Sequence, residues 1–243
     1  MSKALTDTWV VFQIQALKFR SWWPFYLFSI FVAPVGLLLF AKALTPPGFD
    51  VGTRLMTGSL VFGLGIMTVN NMAQIMAQER FTFQLKLVVA SPVHRLSYAG
   101  GVVAYSVAQA VVTAVVVMGF APVFGIDIHL SPWLVPLILL TTFSMTGIAV
   151  TIATWSPAWE VGNILANVMG LLVTLLSPVY YPIERLPEWL RWVARLSPYT
   201  HAGEAINRVL SGQGGFEREA LVLAGITMVG LAIGVAGLRW REA

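Results

Sequence analysis

The sequence predicts an all-α integral membrane protein with six transmembrane helices. Hydrophobic residues make up 57% of its 243 residues and charged residues only 11%, whereas ordinary soluble domains contain roughly 25% charged residues. Charge-free stretches divide the chain, and the first covers the 21 positions between Arg20 and Lys42. At about 1.5 Å per residue, such a helix crosses a hydrocarbon core of about 30 Å. The stretches are too long and too uniformly apolar to be barrel strands, which need only about 10 residues and alternate in polarity.

The same test, applied along the chain, predicts where each span lies. The approximate ranges are 24–41, 56–78, 98–124, 133–154, 162–181 and 220–238. The longest apolar stretch, from Leu96 to Trp159, is divided into two spans by turn-forming residues between Gly125 and Pro132. Prolines and glycines are scattered through the apolar runs and form no linker, so we expect a single transmembrane domain over residues 1–243.

The residues before the first span predict an N-terminal helix that lies in the membrane interface. Apolar Trp9 and Leu17 interleave there with polar Gln15 and Lys18. The alternative is an extension of the first span. Lys18 and Arg20 interrupt any signal-peptide core, so we expect this segment to stay in the mature protein.

The distribution of basic residues predicts the orientation in the membrane. With the N-terminus inside, eight of the 15 basic residues lie inside and seven outside. Five of the outside residues lie in the last loop, which carries predicted amphipathic helices, and without this loop the count is eight against two. We therefore expect a multi-pass protein of the plasma (inner) membrane with cytoplasmic N- and C-termini.

Residues 79–95, which read ERFTFQLKLVVASPVHR, form the longest inside loop. Phe81, Leu85 and Val88 fall near helical spacing, which predicts an amphipathic helix. The pattern ends at Ser91-Pro92, because proline disfavours the helical region for the residue before it. Two interpretations stay open: a docking surface for a cytosolic partner, and a cap helix that lies on lipid headgroups.

Residues 182–210 precede the last span and predict a helical hairpin at the outer surface. Apolar residues between Leu186 and Leu196 form one stripe. A second helix, from about Thr200 to Leu210, carries Glu204 and Arg208 at a spacing of four. The tryptophans of the first helix are typical of aromatic anchors at headgroup depth, and an outer gate is the alternative interpretation.

Several kinds of chemistry find no support in the sequence. No lysine follows a glycine, so the chain has no ATP-binding P-loop. His94, His129 and His201 are far apart, and the chain contains no cysteine, so we expect no metal site. Lysine and arginine form no run, so we expect no nucleic-acid partner.

Neutral amides are the notable polar residues within the predicted spans. All acidic residues lie outside the span centres, unlike the mid-membrane carboxylates of proton- or sodium-coupled carriers. The amides predict either a translocation path or subunit seam, or ordinary hydrogen bonding between helices. They are Asn70, Asn71 and Gln74 in the second span and Asn163 and Asn167 in the fifth.

Two segments support a resemblance to a known family. The first contains Glu79-Arg80, Leu85, Ser91-Pro92-Val93 and Arg95, and the second contains Ser177-Pro178, Tyr181-Pro182, Leu186-Pro187, Trp189-Leu190, Ser197-Pro198-Tyr199-Thr200 and Arg208. With its six-span pattern over nearly the whole chain, the sequence resembles the ABC-2 type permeases, the membrane subunits of ATP-driven exporters. It departs from them at Lys86, where the family commonly has an acidic residue.

The resemblance implies a role for each segment. The first would contact the ATPase through Glu79, Arg80, Leu85, Lys86, Ser91, Pro92 and Arg95. The second would close the outer end of the path with Tyr180, Tyr181, Pro182, Pro187, Trp189 and Trp192.

The resemblance also implies an assembly and a function. Two permease copies, expected as a homodimer among membrane lipids, would work with two ABC ATPase subunits. The partner would bind ATP and Mg, so this chain needs no cofactor and is no enzyme. Apolar walls favour a hydrophobic or amphipathic cargo, drug-like or lipid-like. The alternatives are a permease for polysaccharide or lipid-linked glycan, an ATP-independent channel and a membrane scaffold that transports nothing.

Overall fold

The computed structural model describes residues 3–44, 52–81, 90–91, 93–176, 178–181 and 183–237. Within these ranges every regular element is a helix. This agrees with the physics of a hydrocarbon surrounding, where a helix pairs its backbone groups without water. The α-helices are α1 (Lys3–Leu27), α2 (Ala33–Ala43), α3 (Gly52–Gly65), α4 (Asn71–Phe81), α5 (Arg95–Gly119), α6 (Leu134–Trp155), α7 (Trp159–Leu176), α8 (Glu188–Leu196), α9 (Pro198–Leu210) and α10 (Glu217–Gly237).

A π-helical segment, Phe28–Val32, joins α1 to α2 without a break. The Ala33 N–H bonds to the Phe28 carbonyl, five residues back. Pro34 follows in the first turn of α2, and because proline has no N–H it cannot continue the regular α-helical pattern. The predicted interfacial helix and the first predicted span therefore form one continuous helical stretch, and the position of α1 in the membrane interface stays a prediction.

A second π-helical segment, Ile66–Asn70, joins α3 to α4. Here the Asn71 N–H bonds to the Ile66 carbonyl. Such widened turns inside α-helices frequently occur at functional sites. The segment lies at the two asparagines that the sequence analysis selected as candidates.

Three helical stretches in the described part of the chain are long and apolar enough to cross a membrane. They are Gly52–Phe81, Leu96–Phe124 and Leu134–Trp155. The other three predicted spans fall on α1 with α2, on α7 and on α10. The count of six spans stays a prediction.

Small residues allow α6 and α10 to pack with their backbones in contact. A Cβ atom on Gly147 would lie 2.9 Å from the carbonyl carbon of Gly230. One helical turn away, the Ser144 hydroxyl lies 2.6 Å from that of Thr227. Close approach and hydroxyl bonds of this kind are what hold helices together in lipid, where burial of apolar surface gives no net gain. The order of the pairs shows that the two helices run parallel.

The two helices of the predicted outer hairpin differ in exposure. α8 is largely exposed, whereas α9 packs among α3, α6 and α10. Tyr199 of α9 lies over Gly65 of α3, where a Cβ atom would be 2.5 Å from the tyrosine ring. The small residues Ala202, Gly203 and Ala205 are buried and give α9 a narrow profile that fits between the longer helices. The position of the hairpin on the outer side of the membrane stays a prediction, and within the chain α9 is its buried helix.

Gly147→Ala is expected to lower the apparent melting temperature in detergent by about 5 °C, because the new methyl group meets the backbone of α10. Gly225→Ala is the matched control, since a Cβ atom at this α10 position meets nothing within 4 Å. The control variant is expected to melt at or slightly above the wild-type temperature, because alanine favours a helix more than glycine does. Equal melting temperatures for the two variants would contradict the close packing of α6 on α10.

Candidate functional site

Glu79, near the end of α4, is a buried carboxylate that joins three helices. Its side chain accepts hydrogen bonds from Gln15 and Lys18 of α1 and from Tyr98 of α5. The residue is only 5% exposed, and a carboxylate so buried needs a counter-charge and donors to offset its lost hydration. Lys18 provides the counter-charge, and the Gln15 amide nitrogen lies 2.8 Å from the carboxylate.

Arg80, the next residue, bonds to the end of α6. Its guanidinium Nη1 donates to the carbonyl oxygens of Thr154 at 2.7 Å and Ser156 at 3.0 Å. These carbonyls belong to the end of α6, where the helix leaves acceptors unpaired and where its dipole favours a positive charge. Arg80 therefore caps α6 and joins it to the end of α4.

Of the predicted ATPase-contact residues, Glu79 and Arg80 both belong to the end of α4 and make bonds within the chain. Arg95 begins α5, and Ser91 lies just before it. Leu85, Lys86 and Pro92 lie outside the described residues. The contact of this set with an ATPase stays a prediction. The observed role of Glu79 and Arg80 is to hold the base of the predicted coupling segment against α1, α5 and α6.

Four of the five predicted amides form one hydrogen-bonded chain, which we call the amide chain: Gln74, Asn70, Asn167 and Asn163. Gln74 donates to Asn70 within the second helical stretch. The Asn70 amide nitrogen donates to Asn167 across to α7 at 2.9 Å. Asn167 donates in turn to the Asn163 side chain at 2.7 Å. The spacing of four residues within each helix places both pairs on facing sides.

Asn71 does not join the amide chain. It is buried, and its amide nitrogen lies 3.6 Å from the sulfur of Met67 in its own helix. Neighbouring residues of a helix point about 100° apart, so Asn70 and Asn71 could not both face α7. The prediction grouped them because the sequence does not give the rotation of the helix.

The amide chain lies beside an exposed apolar face of α7. Ile164, Leu165 and Val168 on this helix are all exposed, and so is Asn167. Polar groups on an apolar helix surface are costly in hydrocarbon unless they are paired. The face therefore suits contact with a second protein surface or with a cargo that offers both apolar and hydrogen-bonding groups.

The predicted outer-gate residues that the structure describes have different surroundings. Tyr180 packs against Gly58 of α3, where a Cβ atom would overlap the tyrosine ring. Tyr181 is half-buried, and Pro182 lies outside the described residues. Pro187 caps α8, whose Trp189 and Trp192 are 69% and 66% exposed and point away from the fold. This arrangement favours the anchor interpretation for the tryptophans.

The charged contacts of α9 were not expected from the sequence. Glu204 of α9 lies 3.8 Å from Arg54 of α3, whereas its neighbour in the helix, Arg208, donates to the carbonyl of Gly215 at 2.9 Å. His201 bridges Glu219 of α10 and the carbonyl of Arg195. The spacing of four residues indicated a Glu204–Arg208 pair, but the burial of α9 brings Glu204 to a different helix.

An apolar groove lies between α6, α7 and α10. Its volume is about 550 Å³, and its lining includes Ile148, Met169, Ile226 and Ile233. Thr151, a polar lining residue, donates its hydroxyl to the Gly147 carbonyl of its own helix. Among the described residues, no three His, Asp or Glu side chains are grouped to hold a metal ion.

The fold and these surfaces define the class: a helical membrane protein with linked charges at one end and neutral amides along a helix face. The family model of the ABC-2 type transporter matches residues 6–210, and the chain belongs to this family. It is thus a membrane subunit of an ABC transporter, a kind of protein that works with a separate ABC ATPase. No individual curated protein matches the chain.

Alanine substitutions at Asn70 and Asn167 are expected to be coupled, because the two side chains bond directly. A double-mutant cycle for unfolding in detergent should give a coupling free energy of about 0.6 kcal/mol, the usual size for such bonds between membrane helices. A cycle between Asn71 and Asn167 serves as the control and should give none. Equal coupling in both cycles would show that the amide chain does not join the two helices.

Proposed function

We propose that this chain is the permease subunit of an ABC exporter for a hydrophobic or amphipathic compound, drug-like or lipid-like. Membership in the ABC-2 type transporter family is the observation on which the proposal rests. The character of the surfaces supports the class of cargo. The groove lining is apolar, and the amide chain offers neutral hydrogen-bonding groups beside exposed aliphatic side chains.

The proposed assembly contains two permease copies and two ATPase subunits in the plasma (inner) membrane. Both termini of this chain face the cytoplasm, where the ATPases bind ATP and Mg. Residues 79–95 receive the movement of the ATPases. Glu79 and Arg80 support this role, because their bonds join the start of the segment to α1, α5 and α6.

The seam between the two copies is proposed to lie along the exposed face of α7. The exposed side chains of Ile164 and Val168 provide the apolar contact, and the amide chain fixes the orientation of α7 against the second helical stretch. Tyr180 and Tyr181 are proposed to narrow the outer end of the path, while Trp189 and Trp192 anchor α8 at the membrane surface.

A polysaccharide or lipid-linked glycan is the second candidate cargo. The amide chain favours it, because side-chain amides both donate to and accept from sugar hydroxyls. The groove favours the lipid-like cargo, since its lining is almost entirely apolar. A glycan attached to a lipid would use both surfaces.

Purification of the tagged chain from native membranes in mild detergent tests the transporter assignment. We expect an ABC ATPase to co-purify in a one-to-one ratio and the complex to hydrolyse ATP in lipid vesicles. Mass spectrometry and phosphate release measure the two results. An intact, oligomeric permease that repeatedly lacks an ATPase would contradict the proposal and favour a channel or a scaffold.

Ile164→Cys is expected to form a disulfide-linked dimer on mild oxidation in membranes, because the α7 face would meet its copy at the seam. The chain has no cysteine, so no background cross-link arises. Val115→Cys on α5 is the matched control, since Val115 is 64% exposed and Ile164 61%. Gel electrophoresis without reductant measures the dimer, and equal cross-linking at both positions would contradict the α7 seam.

A further inference from the structure

We propose that Glu79 is a positioning residue that couples the N-terminal helix α1 to the coupling segment, so that both move together in the transport cycle. The inference rests on the proposed function, because it takes residues 79–95 to be the part on which the ATPase acts. It replaces a direct contact of Glu79 with the ATPase by a connection inside this chain.

The connection is visible in how the two carboxylate oxygens are used. Oε1 accepts from the Gln15 amide and the Lys18 ammonium, and Oε2 accepts from the Tyr98 hydroxyl. Both oxygens are therefore occupied by groups of this chain. A partner protein would have to break these bonds and reach a side chain that is only 5% exposed.

The three donors to Glu79 lie on α1 and α5, the two helices that must be held to α4 if α1 and the coupling segment are to move together. Gln15 and Lys18 lie on one face of α1, and Tyr98 lies at the start of α5, just after the coupling segment. Glu79 itself precedes that segment. The carboxylate thus joins both flanks of the coupling segment to α1.

The first helical stretch is continuous, so a movement of α1 also affects residues far from Glu79. α1, the π-helical segment and α2 run without a break from Lys3 to Ala43. A displacement of α1 at Lys18 is therefore transmitted along the stretch toward α2. α1 also packs directly on α5 at Gly101, where a Cβ atom would lie 2.5 Å from Val11. Because α1 and α5 are held together there, the bonds of Glu79 fix the position of this pair of helices relative to α4.

The charge of Lys18 is essential to the connection. Removal of one partner of a buried ion pair leaves an uncompensated charge, which is more costly than replacement of both partners. Loss of either charge is therefore expected to release α1 from the end of α4.

Spin labels at Leu17→Cys and Phe81→Cys test the proposal in the complex purified with its ATPase. Both positions are exposed, at 64% and 37%, and lie close to the Glu79 bonds on α1 and at the end of α4. Distances are measured by pulsed electron resonance in lipid, without nucleotide and after trapping with Mg-ATP and vanadate. With Glu79 intact, we expect one distance that is the same in both states.

In Glu79→Gln and in Lys18→Met, we expect a second distance between the labels. Its population should be at least about tenfold higher than in the wild-type complex and should differ between the two nucleotide states. Hydrogen bonds to charged groups are strong enough for a factor of this size. Glu160→Gln is the matched control, because Glu160 is an exposed carboxylate in the first turn of α7. It is expected to keep the wild-type distance.

A purely structural role makes a different prediction. Glu79→Gln would then lower the melting temperature and leave the distance unchanged in both nucleotide states, and this result would overturn the proposal. Failure of any ATPase to co-purify with the wild-type chain would instead overturn the proposed function, and the coupling role with it.

The exchanged pair Lys18→Glu with Glu79→Lys separates charge from shape. The Gln15 amide oxygen is buried without a partner and can accept from the new lysine, as can the Tyr98 hydroxyl. We expect the single distance to return in this double variant. Persistence of the second distance would overturn the assignment of the ion pair as the connection.

Discussion

The structure depends on one constraint: within hydrocarbon, each backbone polar group must find its partner inside the protein. Helices meet this requirement locally, but they gain little from burial of apolar surface against one another, because lipid is equally apolar. Contact between helices therefore relies on small residues and on side-chain hydrogen bonds. Gly147 against Gly230, with Ser144 beside Thr227, shows both devices at one interface. Gly65 leaves space for the ring of Tyr199, and this close contact allows the short helix α9 to lie in the interior.

The same constraint explains where the charges of the fold are placed. Glu79 and Arg80 are adjacent, carry opposite charges and reach in different directions. Glu79 is neutralised by Lys18 of α1, whereas Arg80 is held by carbonyl oxygens at the end of α6. Together they connect the end of α4, the start of α5 and the end of α6 with the middle of α1, at the base of the predicted coupling segment. An ATP-driven movement applied to this segment would reach those helices through bonds that are short, charged and mostly buried.

In the amide chain, the helices are joined by neutral side chains and not by charged ones. The Asn70 side chain connects the π-helical turn to α7, because its amide nitrogen donates a hydrogen bond of 2.9 Å to the amide oxygen of Asn167. Amides remain uncharged at every physiological pH, so they can line a seam or a path without the cost of a buried ion. Their neighbours on α7 are aliphatic and exposed. This combination supports an amphipathic cargo within the ABC-2 type transporter family more directly than it supports an ion.

The sequence by itself determined that the chain is helical and membrane-embedded and that it belongs to the ABC-2 type transporters, because apolar run length, charge spacing and short motifs are local properties. Only the tertiary structure decided which partner each polar side chain takes. Glu79 bonds to Lys18, which is 61 positions away, and Glu204 meets Arg54 instead of Arg208. Asn71 turns away from the amide chain, and α9 lies inside the bundle. These outcomes depend on the rotation and depth of each helix, which follow from the packing of glycines and other small residues far apart in the chain and leave no local pattern in the sequence.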